Sequence, residues 1–361
     1  MTSRERALTS LHHGQPDRVP VDYWSTAQTD AKLCAALGLT DRRAILDHFG
    51  VDFFYIEGPA YIGEELAARK DGSREDLWGV PRVTATAGAG DSAQRYSHVV
   101  QPPLAEATGV SDVENYPKWP DPDWFDYSVI GQQCAEAGER CVMFMGDRLN
   151  RVAQFKPAQY LRGMERVMID LIESPEVFRA IIGRIGRFYS DYLRRILTAA
   201  DGGIDVVVTG DDFGMQQGML VAPPVWRKFL EPGFRRFIEI AHEFGVPVMH
   251  HTCGSVRPII ADMIDDGLDV LNPIQPGAKD MDHAELKAEF GDRLVFHGGV
   301  SIQTNLPRGN PDDVRREVRT LMQTMKPGGG FWACTAHNIQ ADTPVENIVA
   351  LFEAYREFGR Y

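Results

Sequence analysis

The chain has 361 residues, 43% of them hydrophobic and 25% charged, which is ordinary for a globular protein with a sizeable core. Its formal net charge of -13 argues against nucleic acid and anionic membranes as partners, because both need a positive field on the protein. Five scattered cysteines indicate reduced thiols rather than a disulfide framework. No signal-peptide core or membrane-length apolar stretch is present in the sequence, which predicts a soluble cytoplasmic protein.

Short apolar runs rich in β-branched and aromatic residues recur along the chain. Eight of them are predicted to be strands: 19–24, 51–56, 141–146, 204–209, 246–250, 268–272, 294–298 and 330–334. Segments between them repeat apolar residues with the 3.6-residue period of helices. These predicted helices include 157–173, 175–200, 223–245, 256–267, 311–325 and 344–359. Apolar strands that alternate with helices indicate a parallel sheet covered on both faces, and eight such units predict a (β/α)8 TIM barrel.

The region 58–125 interrupts this alternation. It is rich in Gly, Pro, Asp and aromatic residues and has no convincing core that would make it a separate domain. We interpret it as a capping insertion over the barrel mouth after the second strand, with a hairpin at 77–100. The whole chain, 1–361, is then predicted to be a single domain.

Polar and metal-binding residue types collect at the carboxyl ends of the predicted strands, where a parallel barrel places its active site. The amino ends show no such concentration. The residues concerned are Trp24, Glu57, Asp147, Arg148, Asp211, Asp212, His250, His251, Cys253, Asn272, Gln275, His297, Cys334 and His337. This agreement supports both the fold and the location of the site.

His251 and Cys253 form the sharpest of these features. Side chains two residues apart in an extended segment project to the same side, so an imidazole nitrogen and a thiolate sulfur can reach one zinc ion. A third ligand would come from the last strand, where either Cys334 or His337 can reach the ion across the barrel mouth. Three protein ligands and one open position are typical of catalytic zinc. The alternative is that the cysteine is a small buried hydrophobe.

Other strand ends offer acid–base and substrate-binding groups. Asp212 and His297 are the candidate catalytic residues, as a carboxylate and an imidazole that can move protons. Their alternative interpretations are a turn residue and a core histidine. The candidate substrate-binding residues are Trp24, Asp147, Arg148, Gln216, His250, Asn272 and Gln275.

Several long segments resemble the uroporphyrinogen decarboxylase superfamily. They are 4–24, 112–127, 205–234, 250–276 (HHTCGSVRPIIADMIDDGLDVLNPIQP), 296–303 (FHGGVSIQ) and 337–348 (HNIQADTPVENI). The resemblance implies either a metal-free decarboxylase, which grips its substrate with an arginine-containing N-terminal segment, or a zinc-dependent methyltransferase that acts with a corrinoid protein. The corresponding segment here, 21–32, has no arginine. A substrate with eight carboxylates needs fixed cationic partners, so the chain looks closer to the methyltransferases.

The methyltransferase branch of that superfamily binds zinc through an H-x-C pattern and a late cysteine. His251 and Cys253 match the pattern, and His337 stands where the branch has its cysteine, with Cys334 as the alternative ligand. The resemblance thus implies methyl transfer between a small-molecule donor or thiol acceptor and a corrinoid carried by a partner protein, in a homodimer. Two alternatives stay open: a decarboxylase without metal, and a non-catalytic protein that binds a corrinoid or another small ligand.

Overall fold

The computed structural model describes residues 1–87, 94–146 and 151–361. Its strands are β1 (Phe53–Ile56), β2 (Ala60–Tyr61), β3 (Arg74–Glu75), β4 (Pro81–Ala87), β5 (Gln94–Val99), β6 (Phe125–Asp126), β7 (Cys141–Phe144), β8 (Val206–Gly210), β9 (Gly214–Met215), β10 (Gly218–Met219), β11 (Val248–His251), β12 (Val270–Asn272), β13 (Val295–Val300) and β14 (Phe331–Thr335). Its helices are α1 (Ser3–Leu11), α2 (Ala27–Leu37), α3 (Arg42–Phe49), α4 (Val110–Glu114), α5 (Ile130–Glu136), α6 (Phe155–Arg162), α7 (Met164–Glu173), α8 (Pro175–Ala200), α9 (Pro223–Phe229), α10 (Glu231–Glu243), α11 (Arg257–Asp265), α12 (His283–Phe290), α13 (Asn305–Arg308), α14 (Pro311–Met325) and α15 (Val345–Phe358).

Seven parallel strands form one curled sheet in the order β1-β7-β8-β11-β12-β13-β14. The strands predicted from 51–56 onward are confirmed, with ends that differ by at most two residues. Helices connect successive strands, as the right-handed crossover between parallel strands requires. The fold is therefore α/β and barrel-like.

The segment predicted as the first strand, 19–24, is not one of these seven strands. It runs between the two edge strands, where Val21 forms an isolated parallel bridge with Ala333. On one side the Asp22 N–H donates to the Ala333 carbonyl at 2.9 Å, and on the other the Asp52 N–H donates to the Val21 carbonyl at 2.9 Å. The segment thus contacts β14 through an isolated bridge and contacts Asp52, just before β1, through a hydrogen bond, rather than pairing in a full ladder.

Alternate strand residues face the interior that the curled sheet encloses, because successive side chains of a strand point to opposite faces. The interior cluster consists of Ala7, Trp24, Phe53, Cys141, Met143, Val206, Val208, Met249, Val270, Val295, Trp332 and Cys334. The intervening residues, such as Val207 and Val248, pack outward in the larger core that also contains the helices. Helix α1 contacts β1, β7 and β14 and supplies Ala7 to the interior.

Two long predicted helices are each divided. The helix predicted at 157–173 ends at Gly163, whose φ of +87° leaves the helical region, and α7 starts after it. The helix predicted at 223–245 is broken before Pro232, which lies in the first turn of α10. Proline tolerates that position but interrupts a helix interior, since it lacks an N–H and its ring clashes with the preceding turn. The helix predicted at 175–200 is confirmed as α8.

The region 58–125 contributes short antiparallel sheets beside the barrel-like sheet. Strands β3, β4 and β5 form one of them, and β4 with β5 confirms the predicted hairpin. Strands β2 and β6 pair at the two ends of the region. Trp78 is almost fully buried against Phe188 and Tyr189 of α8. Within the described ranges, no helix has the length and apolar character needed to cross a membrane.

Candidate functional site

Strand β11 ends in two histidines that face opposite ways. His251 follows the alternation of Met249 and points into the interior. His250 points outward, where its ring stacks on Phe213 at 5.2 Å between centroids and its Nδ1 lies 2.8 Å from the Thr209 hydroxyl. The prediction that His250 lines the substrate pocket does not agree with this position, because neighbouring strand residues cannot share a face.

Three side chains with metal-binding atoms converge at the carboxyl end of the sheet. One ligand atom from each of His251, Cys253 and His337 lies within 4.8 Å of the others. The distance from His251 Nε2 to Cys253 Sγ is 3.5 Å. Zinc bond lengths of roughly 2.0–2.3 Å in a tetrahedron imply a ligand–ligand distance of roughly 3.6 Å, so this nitrogen and sulfur fit one zinc ion.

The alternative third ligand, Cys334, belongs to a different group. It lies on β14 with its side chain in the sheet interior, where its sulfur, Asp22 and His297 form a second cluster of possible ligands. The loop after β14 carries His337 toward His251 instead, with 5.8 Å between the two ring centroids. Of the two residues that the sequence left open, the structure therefore places His337 beside the H-x-C pair.

The loop that carries Cys253 is held by hydrogen bonds on both sides of the cysteine. The Thr252 hydroxyl accepts a hydrogen bond from the Phe213 N–H at 2.9 Å, and the Gly254 N–H donates to Gln275 Oε1 at 2.8 Å. Gly254 has φ +83°, which glycine adopts readily, and lies against the backbone of Gly214. Cys253 is thus presented from a turn with little freedom to move.

The paired carboxylates after β8 have separate positions. Asp211 is buried and accepts hydrogen bonds from the backbone N–H groups of Gln154, Phe155 and Lys156, so it caps the start of α6. Asp212 faces the metal-binding group: its Oδ1 lies 3.7 Å from His251 Nε2, and it accepts from the Cys253 N–H at 3.2 Å. The Lys156 ammonium contacts the other oxygen of Asp212 at 2.5 Å.

Burial and neighbouring charges set the ionisation of these groups. Burial, together with the charge of Arg151, lowers the pKa of His251 to about 3, which leaves a neutral ring with a lone pair for a metal. Burial and the Asp212 carboxylate raise the pKa of the Cys253 thiol to about 12. Burial opposes ionisation of Asp212, but the Lys156 ammonium and the Cys253 N–H favour its charged form and hold the pKa of that carboxyl below its ordinary value.

Two cavities meet at this group. One, of about 400 Å³, is lined by Trp78, Arg151, Lys156, Tyr160, His251 and His337, among others. The second, of about 220 Å³, is lined by Gln216, Cys253, Gln275, Ser301, Gln303 and His337, among others. The volume of the first falls in the range of small-molecule sites. Trp78 brings the region 58–125 into the wall of that cavity.

The remaining predicted residues lie at different depths. Gln216 and Gln275 line the smaller cavity. Trp24, Asn272 and His297 are buried beneath the metal-binding group, with the Trp24 ring centroid 5.5 Å from that of His251. Asp147 and Arg148 lie outside the described residues.

Besides Trp78 and Tyr160 of the larger cavity, sequence reasoning missed charged and hydrogen-bonding residues beside the site. They include Asp22, Tyr55, Arg151 and Lys156. Asp22 carried a usable signal, since a carboxylate in the otherwise apolar run VPVDYW has to be paired once the run is buried.

Comparisons with known proteins agree with the resemblance seen in the sequence. The sequence model for uroporphyrinogen decarboxylase (URO-D) matches residues 152–358. Methylcobamide:CoM methyltransferase MtaA of Methanosarcina barkeri is 30% identical over 162 residues, 44% of this chain and 43% of that protein. A uroporphyrinogen decarboxylase of Thermus thermophilus is 25% identical over 218 residues, 57% of this chain and 58% of that protein. The chain thus spans about half the length of the curated relatives it matches.

A solved structure of a methyltransferase from Methanosarcina mazei has the same fold. It superposes with a TM-score of 0.68 at 19% sequence identity, over 99% of both chains. At that identity the likeness supports the fold and leaves the reaction to the residues of the site. Because the family match covers more than half of its length, this chain belongs to the uroporphyrinogen decarboxylase (URO-D) family.

Proposed function

We propose that the protein is a zinc-dependent methyltransferase that moves a methyl group between a corrinoid and a small molecule, either a thiol acceptor or a methyl donor. The convergence of His251, Cys253 and His337 beside a cavity carries this proposal. The sequence similarity to a methylcobamide:CoM methyltransferase supports it. Asp212 lies close enough to add negative charge beside the cation, and Lys156 holds that carboxylate in place.

The donor set fits zinc, which binds thiolate and neutral imidazole in tetrahedral geometry. When bound, zinc would supply a Lewis acid that lowers the pKa of a thiol or oxygen at its open position. Cys253 would give up its proton on binding the metal, and His251 would offer the Nε2 lone pair. The Trp24 ring, packed on His251, excludes water from the inner side of the site.

The size of the larger cavity supports a corrinoid that is carried by a partner protein. A space of about 400 Å³ is near the lower end for small-molecule sites, which suits a small methyl donor or acceptor. A corrinoid ring with its attached groups would then approach from outside the barrel mouth, carried by its own protein. The homodimer implied by the family resemblance stays a prediction.

The charge of the cavities argues against uroporphyrinogen as the substrate of a decarboxylase. Among the described residues that line them, the cations are Arg151 and Lys156, and Lys156 is already paired with Asp212. Eight substrate carboxylates would be left with few fixed cationic partners. A non-catalytic binding protein is disfavoured by three metal-binding atoms that converge at the cavities, because such groups act on bound ligands.

We further propose that the segment 19–24 closes the sheet as an eighth strand and that the chain folds as one domain. Hydrogen bonds from this segment to Ala333 on one side and Asp52 on the other support the closure. Trp78 supports a capping role for 58–125, since it packs on α8 and also lines the larger cavity.

Zinc content and methyl transfer test the proposed function together. Purified protein should contain about one zinc per chain. It should also demethylate methylcobalamin in the presence of a small thiol, which is measured as the loss of methylcobalamin absorbance. Cys253→Ala should weaken zinc binding by more than about 100-fold, because loss of a residue that merely supports a ligand already costs 10–100-fold. Cys34→Ala removes a thiol from α2, outside the group, and should change neither readout.

A folded wild type without zinc would contradict the proposal. Methyl transfer that persists after complete chelation would contradict it as well. Release of CO2 from a carboxylated substrate by the chelated protein would favour the decarboxylase alternative.

A further inference from the structure

A chain of hydrogen bonds runs from His251 into the interior of the sheet. His251 Nδ1 lies 2.5 Å from Asn272 Oδ1, and Asn272 Nδ2 lies 2.5 Å from His297 Nδ1. His297 Nε2 lies 3.0 Å from Asp22 Oδ2. Asn272 and His297 are 0% exposed and Asp22 is 2% exposed, so these contacts are shielded from solvent.

The far end of this chain fixes its direction. The indole N–H of Trp24 can only donate, and it lies 2.8 Å from the Tyr55 hydroxyl oxygen. Tyr55 therefore accepts from Trp24 and directs its own proton to Asp22 Oδ2, at 2.6 Å. The other oxygen of Asp22 accepts from the Tyr23 N–H at 2.7 Å. Asp22 is thus an acceptor on both of its oxygens.

The same donors and acceptors decide which nitrogen of His251 carries its proton. Because Asp22 accepts, His297 donates to it from Nε2, and His297 Nδ1 faces the Asn272 side-chain amide as an acceptor. The Asn272 group that faces His297 is then the amide nitrogen, which turns the amide oxygen toward His251. His251 Nδ1 must donate to that oxygen, and its lone pair is left on Nε2. This nitrogen is the one that lies 3.5 Å from Cys253 Sγ.

We propose that Asp22, His297 and Asn272 are positioning residues that set the tautomer and ring orientation of His251 for binding the metal. The proposal rests on the proposed function in that His251 is taken as a ligand. It also changes the role of His297, which was predicted to be catalytic. A fully buried ring beneath Trp24 does not touch a substrate, whereas the partner of a ligand's second nitrogen controls that ligand.

A competing interpretation is a second, deeper metal site on Asp22, His297 and Cys334, whose ligand atoms also lie within 4.8 Å of one another. The hydrogen bonds argue against it. Both oxygens of Asp22 already accept from donors, and its contact with His297 at 3.0 Å is a normal hydrogen-bond length that leaves no room for an ion between them.

The proton on His251 can be observed directly. In metal-free protein labelled with ¹⁵N-histidine, imidazole chemical shifts distinguish a protonated nitrogen from an unprotonated one, and His251→Gln assigns the signal. We expect the Nδ1–H tautomer for His251 and the Nε2–H tautomer for His297. The Nε2–H tautomer at His251 would overturn the proposal, whether or not the protein binds zinc.

Two substitutions of Asn272 separate positioning from packing. Asn272→Leu keeps the branched shape and the number of side-chain heavy atoms, although it is larger, and removes the acceptor. We expect zinc affinity to fall by about 10–100-fold in competition with a chromophoric chelator. Asn272→Asp keeps an acceptor for His251 Nδ1 but has no donor for His297 Nδ1, so it should retain more zinc affinity than Asn272→Leu. Thr209→Val removes the buried hydrogen bond to the neighbouring His250, on the outer face, and should leave affinity unchanged.

The outcomes distinguish this proposal from the proposed function. A wild-type protein that binds no zinc would contradict the proposed function. If the wild type and Asn272→Leu bind zinc equally well, only the positioning role is contradicted. Two zinc ions per chain, reduced to one by Cys334→Ser, would establish the deeper metal site and overturn the hydrogen-bonded chain.

Discussion

Replacement of Gly254 by alanine tests how rigidly the Cys253 thiol is placed. Gly254 has φ +83°, and a Cβ added there would lie 2.6 Å from the Gly214 carbonyl carbon and from the Met215 nitrogen. Both are backbone atoms, so no side chain can swing aside. Two loops would have to separate by about 0.4 Å to reach 3.0 Å, the limit below which real Cβ contacts are essentially never seen.

The expected loss of stability has two parts. Alanine with a positive φ costs about 1–2 kcal/mol, and the forced backbone movement adds about 1–3 kcal/mol. We therefore expect Gly254→Ala to lose about 2–5 kcal/mol in urea unfolding and to bind zinc more weakly, because the adjoining cysteine moves with the loop.

Gly38→Ala is the matched control for this substitution. Gly38 has φ +67° with nothing within 4 Å of the added Cβ, so it carries the conformational cost of about 1–2 kcal/mol without the clash. Zinc affinity should be unchanged in this variant. Equal losses of stability in the two variants, with zinc binding intact in Gly254→Ala, would refute the reasoning.

Two further predictions concern parts of the chain away from the metal-binding group. Asp52 is fully buried and accepts from Arg6, Arg18 and the Val21 N–H. Asp52→Ala should therefore cost about 3–5 kcal/mol in urea unfolding, because it leaves buried cations without their partner. A loss below about 1 kcal/mol would contradict this role of the carboxylate. The pKa of His242 is raised by its hydrogen bond to Asp269, so its contribution to stability should be complete below pH 6.5 and lost as the pH rises through the folded pKa. At this exposure it should amount to at most about 1 kcal/mol, and a wild-type advantage over His242→Gln that grows at high pH would contradict the assignment.

The positions of the strands and of the metal-binding pattern could be predicted from sequence because both depend on short-range rules. Apolar runs marked the seven strands, and the carboxyl ends of parallel strands meet at one edge, which placed His251 and His337 near each other although 86 residues separate them. The sequence prediction placed both His251, as a metal ligand, and His250, as a substrate-binding residue, at the site, although neighbouring strand residues face opposite ways. In a strand buried on both faces, the inward and the outward residues are both apolar, so hydrophobicity does not show which of them face inward.

The hydrogen-bonded chain beneath the site could not be predicted in the same way. The contact between Asp22 and His297 joins residues 275 positions apart, and it exists only because the segment 19–24 lies against the edge strand β14. A polar residue in an apolar run shows that a partner is needed, but the choice of partner depends on register and on the curl of the sheet. The divided helices have a local cause, since Gly163 and Pro232 are visible in the sequence but helical periodicity continues across both.

The shape of the site bears on the choice between methyl transfer and decarboxylation. A methyl transfer brings two reactants to one carbon, whereas decarboxylation needs a single substrate in a single pocket. Here two cavities of different character meet at His337: one carries Arg151 and Lys156, and the other is lined by uncharged side chains such as Gln275. A metal held between them would contact both spaces, so the two reactants of a methyl transfer could approach it from separate sides while the buried face of His251 stays closed by Trp24.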